Sequence, residues 1–225
     1  MTYDHKGAVR DLCLNFIATN AVPGDVLEFG VFDGRGLRKI IEKCDEIEQS
    51  WLSLSIGHET IRWLDRARVL RRRFIGFDSF QGVSAPTEMD GALMQEGDLA
   101  CPLSVVQENL RYIWCNKERV QLVAGWFSDT LKPELRGALN LERAALIHLD
   151  CDLYEPSLQA LDWCAPLIHD NTVVILDDYF LFGGHPDRGQ RRAWEEWLLT
   201  HREFRVTELV RNGPVAFVMH RREQP

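Results

Sequence analysis

The sequence lacks any long apolar run. Its longest stretch without a charged side chain is residues 12–24, which includes Asn15, Thr19 and Asn20. A transmembrane helix needs about 20 predominantly apolar residues, so we expect no membrane span. The first residues include an acid and lead into no apolar segment, which is not typical of a secretory signal. We therefore expect a cytoplasmic protein with no membrane partner.

Paired cysteines are also lacking. The six cysteines are scattered along the chain, and no two of them form a CxxC pair. This pattern is typical of reduced, buried thiols rather than of a disulfide framework or a zinc site. If the protein binds a metal, we expect oxygen ligands.

Positive charge is in deficit. Lys and Arg number 26 against 34 Asp and Glu, which gives a net charge of −8. A negative protein repels polyanions, so we expect no nucleic-acid partner. The 225 residues are 45% hydrophobic, without repeats or a linker, and are enough for one large domain on the prior of roughly 150 residues per domain. We expect residues 1–225 to form that single domain.

Short apolar runs alternate with helical patterns. The runs are Asp25–Gly30, Phe74–Phe77, Val120–Val123, Ala144–Leu149 and Thr172–Leu176, with helical patterns at Leu103–Cys115 and Ser157–Ile168. Alternating strands and helices indicate an α/β fold, doubly wound and Rossmann-like, with a mainly parallel sheet.

Three further segments complete this predicted fold. An amphipathic helix is predicted within residues 1–22, and residues 44–72 are predicted to be a helical insertion. Two strands, Phe204–Val210 and Val215–Met219, flank Asn212-Gly213-Pro214 and predict an antiparallel hairpin at the edge of the sheet.

A glycine-rich turn, residues 28–36, follows the first predicted strand. Open α/β sheets bind ligands at this edge. Phe32 stands where a dinucleotide fingerprint has its second glycine, and Asp33 adds a negative charge where a pyrophosphate would lie. These features disfavour NAD and favour a cofactor with an ammonium group and no phosphates, such as S-adenosylmethionine, with Glu28 beneath it. A tight turn without any ligand explains the segment equally well.

Asp78 ends the second strand and is suited to binding ribose hydroxyls. It lies 78 − 28 = 50 residues after Glu28, whereas the ribose acid of dinucleotide sites lies roughly 20 residues after the glycines. The interpretation therefore requires the insertion at 44–72 to be real, and Glu59 is a competing acid. Alternatively, Asp78 only caps a turn.

Acidic side chains follow two consecutive strands of the predicted sheet. Asp150 comes after one strand, and Asp177 and Asp178 come after the next. Neighbouring parallel strands lie about 4.8 Å apart, so these carboxylates are expected to meet. Such a cluster favours magnesium, calcium or manganese, although each acid by itself could cap a helix or turn.

Two histidines lie near these acids in the sequence. His148 lies within a predicted strand and is expected to be a hydrogen-bonded core residue without a catalytic role. His185 follows two glycines in a loop and is a second candidate for proton transfer, since an imidazole titrates near neutral pH.

The order of these motifs resembles the class I S-adenosylmethionine-dependent methyltransferases, and more narrowly the macrocin O-methyltransferase-like family of natural-product enzymes. Four parts of the chain carry the resemblance: residues 26–31, residues 76–82, residues 125–131, and residues 149–155 together with 177–179. Cys151 departs from the family pattern, which often has glycine there.

The resemblance implies a role for each matched position. The methionine end of S-adenosylmethionine would be held by Glu28, Gly30, Val31, Gly34 and Gly36, the ribose by Asp78, Ser79 and Phe80, and the adenine by Gly125 and Trp126. Asp150 would border the cofactor, accept the proton of the substrate hydroxyl and, with Asp177 and Asp178, bind magnesium.

The chain is thus expected to be a metal-dependent O-methyltransferase that acts on a hydroxyl of a small natural product or sugar. Three alternatives stay open: a phosphatase that uses the same acids, although residues 153–176 contain no Lys or Arg; a nucleotide-sugar transferase; and a binding module without turnover.

The N-terminal helix, with Trp194, Trp197 and Leu198, could form a homodimer surface, although such apolar stripes are more often core.

Overall fold

The computed structural model describes residues 5–54, 72–111 and 119–222. The helices are α1 His5–Thr19, α2 Arg35–Leu54, α3 Leu103–Asn109, α4 Phe127–Thr130, α5 Pro133–Ala138, α6 Tyr154–Cys164 and α7 Gly189–Thr200, with short 3-10 turns at Ala165–Leu167 and Leu181–Gly184. The strands are β1 Asp25–Phe29, β2 Phe74–Asp78, β3 Val120–Ala124, β4 Ala144–Leu149, β5 Val173–Leu176, β6 Phe204–Arg211 and β7 Val215–Arg221.

The seven strands form one sheet in the order β3-β2-β1-β4-β5-β7-β6. Strands β1 to β5 pair in parallel, while β7 pairs antiparallel with both β5 and β6. The predicted doubly wound fold is confirmed, and so is the predicted hairpin. Gly213 has a φ of 80° in the turn between β6 and β7, a conformation that glycine adopts without steric cost.

Side chains that alternate along the strands build a core on each face of the sheet. Val26 of β1 packs with residues of α1 and α2 on one face. Its neighbour Leu27 packs on the other face with residues of α6 and α7. Helices therefore cover both faces of the parallel strands, as a buried parallel sheet requires.

Some predicted segments differ in extent or burial from what the sequence indicated. Residues 44–54 continue α2, whereas the rest of the predicted insertion up to residue 71 lies outside the described residues. The helix predicted at 103–115 was too long: it ends at Asn109 and is followed by a turn at residues 110 and 111, while residues 112–115 lie outside the described part of the chain. Trp194 and Trp197 are buried in the core rather than displayed for a partner. The cysteines in the described part of the chain are buried and unpaired. Among the described helices, none combines the length and apolarity that a membrane crossing demands.

The fold places one crevice at the carboxyl edge of the sheet. The strand order reverses between β1 and β4, so the segments after these strands leave in opposite directions. Phe29, the last residue of β1, pairs with Leu149, the last of β4, and Leu149 pairs with Leu176, the last of β5. The three strand ends therefore lie level, at the position where open α/β sheets bind their ligands.

Candidate functional site

The turn after β1 presses against the segment after β4. Gly30 has a φ of 90°, and its N–H donates to the carbonyl of Phe77 at 2.9 Å. A Cβ atom at Gly30 would lie 1.8 Å from the carbonyl oxygen of Asp150. Only glycine permits this approach, which fixes the backbone of Asp150 beside the glycine turn.

The structure brings the predicted acids Asp150, Asp177 and Asp178 together with a fourth acid, Asp152, and we call these four residues the acidic cluster. One ligand atom from each of Asp150, Asp177 and His148 lies within 4.8 Å of the other two. Asp178 contacts the cluster through the backbone of the loop after β4: its Oδ2 accepts the N–H of Asp152 at 3.1 Å. The cluster therefore joins the loops after β4 and β5, as parallel pairing requires.

A buried imidazole links the cluster to β1. Nδ1 of His148 lies 3.0 Å from Glu28 Oε1, and Nε2 lies 3.1 Å from Asp177 Oδ1. Burial alone would lower the pKa of His148, but hydrogen bonds to Asp177 and Glu28 raise it to about 10. His148 is therefore an imidazolium that donates a proton to each carboxylate. Each ring nitrogen thus faces a carboxylate oxygen, and the ligand atoms of His148, Asp150 and Asp177 lie close enough together to hold a metal ion.

The acids of the cluster have pKa values shifted in different directions because their surroundings differ. Burial, with the charge of Asp177, raises the pKa of Asp150 to about 7. Burial and the neighbouring acids likewise raise the pKa of Asp178 well above its usual value. Burial also opposes ionisation of Asp177, but the hydrogen bond and charge of His148, with the charge of Lys6, hold its pKa well below its usual value. The carboxylates of the acidic cluster therefore differ in how readily they ionise.

A lysine from the N-terminal helix enters the cluster. Lys6 is in the first turn of α1, and its Nζ forms an ion pair with Asp177 Oδ2 and lies 3.3 Å from Asp150 Oδ1. Burial alone would lower the pKa of Lys6, but the charges of Asp150, Asp177 and Asp178 raise it above its usual value. The ammonium is therefore held as a cation against the acids.

The main cleft, about 210 Å³ in volume, opens next to the cluster. Five of the predicted site residues line it, namely Gly30, Asp78, Ser79, Trp126 and Asp150. It is also lined by Asp152, Glu155 and Gln159, which belong to the segment after β4 and to α6. The main cleft is thus bounded by the ends of β1, β2 and β4.

Backbone strain is concentrated around the main cleft. Three of its lining residues other than glycine have a positive φ: Phe32 at 49°, Leu99 at 58° and Asp152 at 60°. Conformations of this kind cost of order 1–3 kcal/mol each and tend to gather at functional sites. Phe32 and Leu99 are also 40% and 49% exposed, so they give the rim of the cleft an apolar surface.

Asp78 caps the glycine turn while it lines the main cleft. Its Oδ2 accepts the N–H groups of Val31 and Phe32 at 2.7 and 2.9 Å, and its Oδ1 accepts that of Phe80 at 2.6 Å. The turn-capping alternative raised by the sequence is therefore realised. A carboxylate has about four lone-pair positions, so one remains for a ligand hydroxyl.

A second space, the side cavity, adjoins the main cleft and has a volume of about 290 Å³. The two share Phe32 and Asp150. Glu28 lines the side cavity, and its buried Oε2 has no hydrogen-bond partner within the described part of the chain. An added Cβ at Gly36 would lie 2.9 Å from Glu28 Oε1, so this glycine makes room for the carboxylate. A buried acceptor without a hydrogen-bond donor costs free energy. The orphaned oxygen of Glu28 is therefore suited to accept a hydrogen bond from a ligand in the side cavity.

Other predicted site residues support the turns without lining the main cleft. Val31 is a buried core residue, and a Cβ at Gly34 would lie 2.9 Å from Val106 of α3, so Gly34 allows helix packing. Gly125 donates its N–H to the carbonyl of Asp78 at 2.9 Å. His185 lies in neither cavity: its half-exposed ring accepts the N–H of Asp187 at 3.2 Å.

Sequence reasoning gave no role to His148 and overlooked Lys6. A partial signal for His148 existed, since Glu28 and His148 are polar residues inside apolar strands. That they lie at paired positions is known only from the register of β1 and β4 in the structure. Two buried polar groups at neighbouring positions predict a hydrogen bond between them. For Lys6 no such signal exists, because a lysine at the start of a surface helix is ordinary.

A model of the macrocin-O-methyltransferase (TylF) family matches residues 61–202. A tetracenomycin-C 4'-O-methyltransferase of Streptomyces olivaceus is 28% identical over 178 residues, covering 74% of this chain and 57% of that protein. Demethyldecarbamoylnovobiocin O-methyltransferase of Streptomyces niveus is 30% identical over 178 residues, covering 75% of this chain and 58% of that protein. The matched region thus spans less than three fifths of these relatives.

Solved structures share the fold. The calicheamicin methyltransferase CalS11 superimposes with a TM-score of 0.72 at 23% identity, over 95% of this chain and 78% of that one. The O-methyltransferase NovP superimposes with a TM-score of 0.67 at 24% identity, over 96% of this chain and 80% of that one. The Rossmann-like architecture is therefore that of known methyltransferases.

Proposed function

The chain belongs to the macrocin-O-methyltransferase (TylF) family, and from that premise we propose that it transfers a methyl group from S-adenosylmethionine to a sugar hydroxyl of a small natural product, with a divalent cation in the acidic cluster. The main support is that Asp150 and Asp177 meet beside a cleft lined by Asp78. The tetracenomycin relative is named for a rhamnosyl compound, which supports a sugar hydroxyl as the acceptor.

The chain's residues fit S-adenosylmethionine. The orphaned Oε2 of Glu28 is suited to an ammonium group, and the remaining lone pair of Asp78 to one ribose hydroxyl. We assign the nucleoside to the main cleft, beside Trp126, and the methionine end to the side cavity. When bound, this cofactor supplies an electrophilic methyl group. Asp150 borders both spaces and would face the reacting carbon.

The acidic cluster fits a hard divalent cation. Asp150, Asp177 and Asp178 offer oxygen ligands, which magnesium, calcium and manganese prefer. His148 holds Asp177 in place, because its Nε2 lies 3.1 Å from Asp177 Oδ1. When bound, the ion would lower the pKa of the substrate hydroxyl and fix its orientation.

The chain's own residues then have two tasks in methyl transfer. Methyl transfer is an in-line displacement, so the enzyme must first align the acceptor hydroxyl with the methyl group. It must also remove the hydroxyl proton, and an acceptor with a pKa near the working pH does this best. Asp150 is the acid of the cluster that lines the main cleft and the side cavity, which suits it to that role. The apolar rim formed by Phe32 and Leu99 would contact the non-sugar part of the acceptor.

Calorimetric titration of the purified protein tests the cofactor assignment. We expect S-adenosylmethionine to bind and NAD not to bind, because Phe32 and Asp33 do not form a pyrophosphate site. Trp126→Ala should weaken S-adenosylmethionine binding by about tenfold, since stacking adds to the apolar contact it loses. Phe180→Ala is a matched control, because Phe180 is an exposed aromatic outside the main cleft and its loss should leave the affinity unchanged.

Two results would contradict the cofactor assignment. Binding of a nucleotide sugar or a phosphate ester without S-adenosylmethionine would favour the transferase or phosphatase alternatives. Equal losses in Trp126→Ala and Phe180→Ala would place the nucleoside outside the main cleft.

A further inference from the structure

Lys6 contacts two of the carboxylate oxygens that the proposed divalent cation would use. Its Nζ contacts Asp177 Oδ2 and lies 3.3 Å from Asp150 Oδ1. Asp177 has its other oxygen, Oδ1, already bonded to His148. An ammonium and a metal ion therefore compete for Asp177 Oδ2, since both carry positive charge and both need direct contact with it.

Lys6 is freer to move than Asp177, the acid with which it forms an ion pair. The side chain of Asp177 is completely buried, whereas that of Lys6 is 49% exposed. Four residues of the same helix fix α1 to the sheet, because their side chains are buried in the core: Val9, Cys13, Leu14 and Ile17. Lys6 itself lines the side cavity, which gives its flexible stem room to turn. The ammonium can therefore leave the acids without displacement of the helix.

We propose that Lys6 is an internal counter-ion of the metal site, which pairs with Asp150 and Asp177 when no divalent cation is bound and is displaced when one binds. The inference rests on the metal site of the proposed function. Metal binding then exchanges one cation for another, so the buried acids are never left without a positive partner. It also frees the Lys6 ammonium within the side cavity that we assign to the methionine end of the cofactor.

The competition is measured with Lys6→Met, which keeps an apolar stem and removes the charge. In calorimetric titrations with MnCl2 and MgCl2, we expect this variant to bind the ion about tenfold or more tightly than wild type, because a hydrogen bond to a charged group is worth at least that factor. Lys43→Met is the matched control, since Lys43 pairs with Glu46 on α2 and lies outside both cavities. It removes the same charge and should leave the ion affinity unchanged.

A second measurement uses the wild-type protein and so does not depend on the folding of a variant. Acetylation of Lys6 by an N-hydroxysuccinimide ester, followed by mass spectrometry, reports whether the amine is held by the acids. We expect the rate at Lys6 to rise severalfold on addition of MgCl2, while the rate at the exposed Lys132 stays constant.

The outcomes separate the inference from the proposed function. If the ion binds equally to wild type and Lys6→Met, or binds without any change in acetylation of Lys6, the counter-ion role is overturned while the metal site stands. If the ion binds to neither protein, the counter-ion role and the metal part of the proposed function are both overturned. Tighter binding to Lys6→Met together with faster acetylation in wild type supports the inference.

Discussion

Asp150→Asn should lower kcat for methyl transfer by about 10²–10⁴-fold, the range over which a positioned proton acceptor contributes to catalysis. The substitution preserves the shape of the side chain, so the close contact between Gly30 and the backbone of residue 150 persists. What it removes is the charge that, in the proposed function, accepts the hydroxyl proton and binds the ion. The measurement is the rate of S-adenosylhomocysteine formation at saturating cofactor.

A matched variant separates this effect from a general loss of acidic charge. Asp162 is an exposed acid on α6, outside both cavities, and Asp162→Asn should keep the wild-type rate. Circular dichroism and thermal melting confirm that each variant folds. A folded Asp150→Asn variant with more than half of the wild-type kcat would rule out Asp150 as the proton acceptor.

Gly30→Ala should destabilise the protein by about 2–6 kcal/mol, because a positive φ and an overpacked contact each cost about 1–3 kcal/mol. The new Cβ would lie 1.8 Å from the carbonyl oxygen of Asp150, a backbone atom that no change of side-chain rotamer can move aside. Urea unfolding, monitored by fluorescence, measures the loss. We also expect weaker metal binding in any folded fraction, since relief of the clash moves Asp150.

The control for this prediction is Gly137→Ala. Gly137 is an exposed residue of α5, and an added Cβ there would have no atom within 4 Å. We expect a gain of up to about 1 kcal/mol, the usual advantage of Ala over Gly inside a helix. If Gly30→Ala unfolds at the same urea concentration as wild type, the packing of the glycine turn against Asp150 is not what fixes this site.

The convergence of Asp150 and Asp177 could be predicted from the sequence because it follows from topology alone. Parallel strands end at the same edge of a sheet, and a strand can be recognised locally from its apolar residues. The hairpin of β6 and β7 was predictable for the same local reason, since a glycine marks its turn. Neither prediction needed the packing of distant side chains.

The partners of these acids could not be found in this way. The bonds from His148 to Glu28 and Asp177 depend on the register between β1, β4 and β5, which a single sequence does not give. The contact of Lys6 with Asp177 depends on how α1 lies against the sheet. Asp78 was correctly placed at the strand end, but whether it caps the turn or binds a ligand is decided by hydrogen bonds visible only in the fold.

The position of a loop residue such as His185 also could not be predicted from the sequence. His185 was a candidate for proton transfer because of its glycine-rich loop, yet the structure places its ring beside Asp187 and outside both cavities. Loop positions are set by long-range contacts rather than by their own sequence. The positions of the acids follow from the strand ends, whereas the position of His185 does not follow from its own segment.

The most direct test of the central claim is methyl transfer from labelled S-adenosylmethionine to rhamnose-bearing natural products, measured with MgCl2 and with a chelator. The account predicts transfer of the label to an acceptor hydroxyl in the presence of magnesium, its loss on chelation, and its recovery when magnesium is restored. Transfer that continues at the full rate with the chelator present would contradict the claim that the acidic cluster works through a divalent cation.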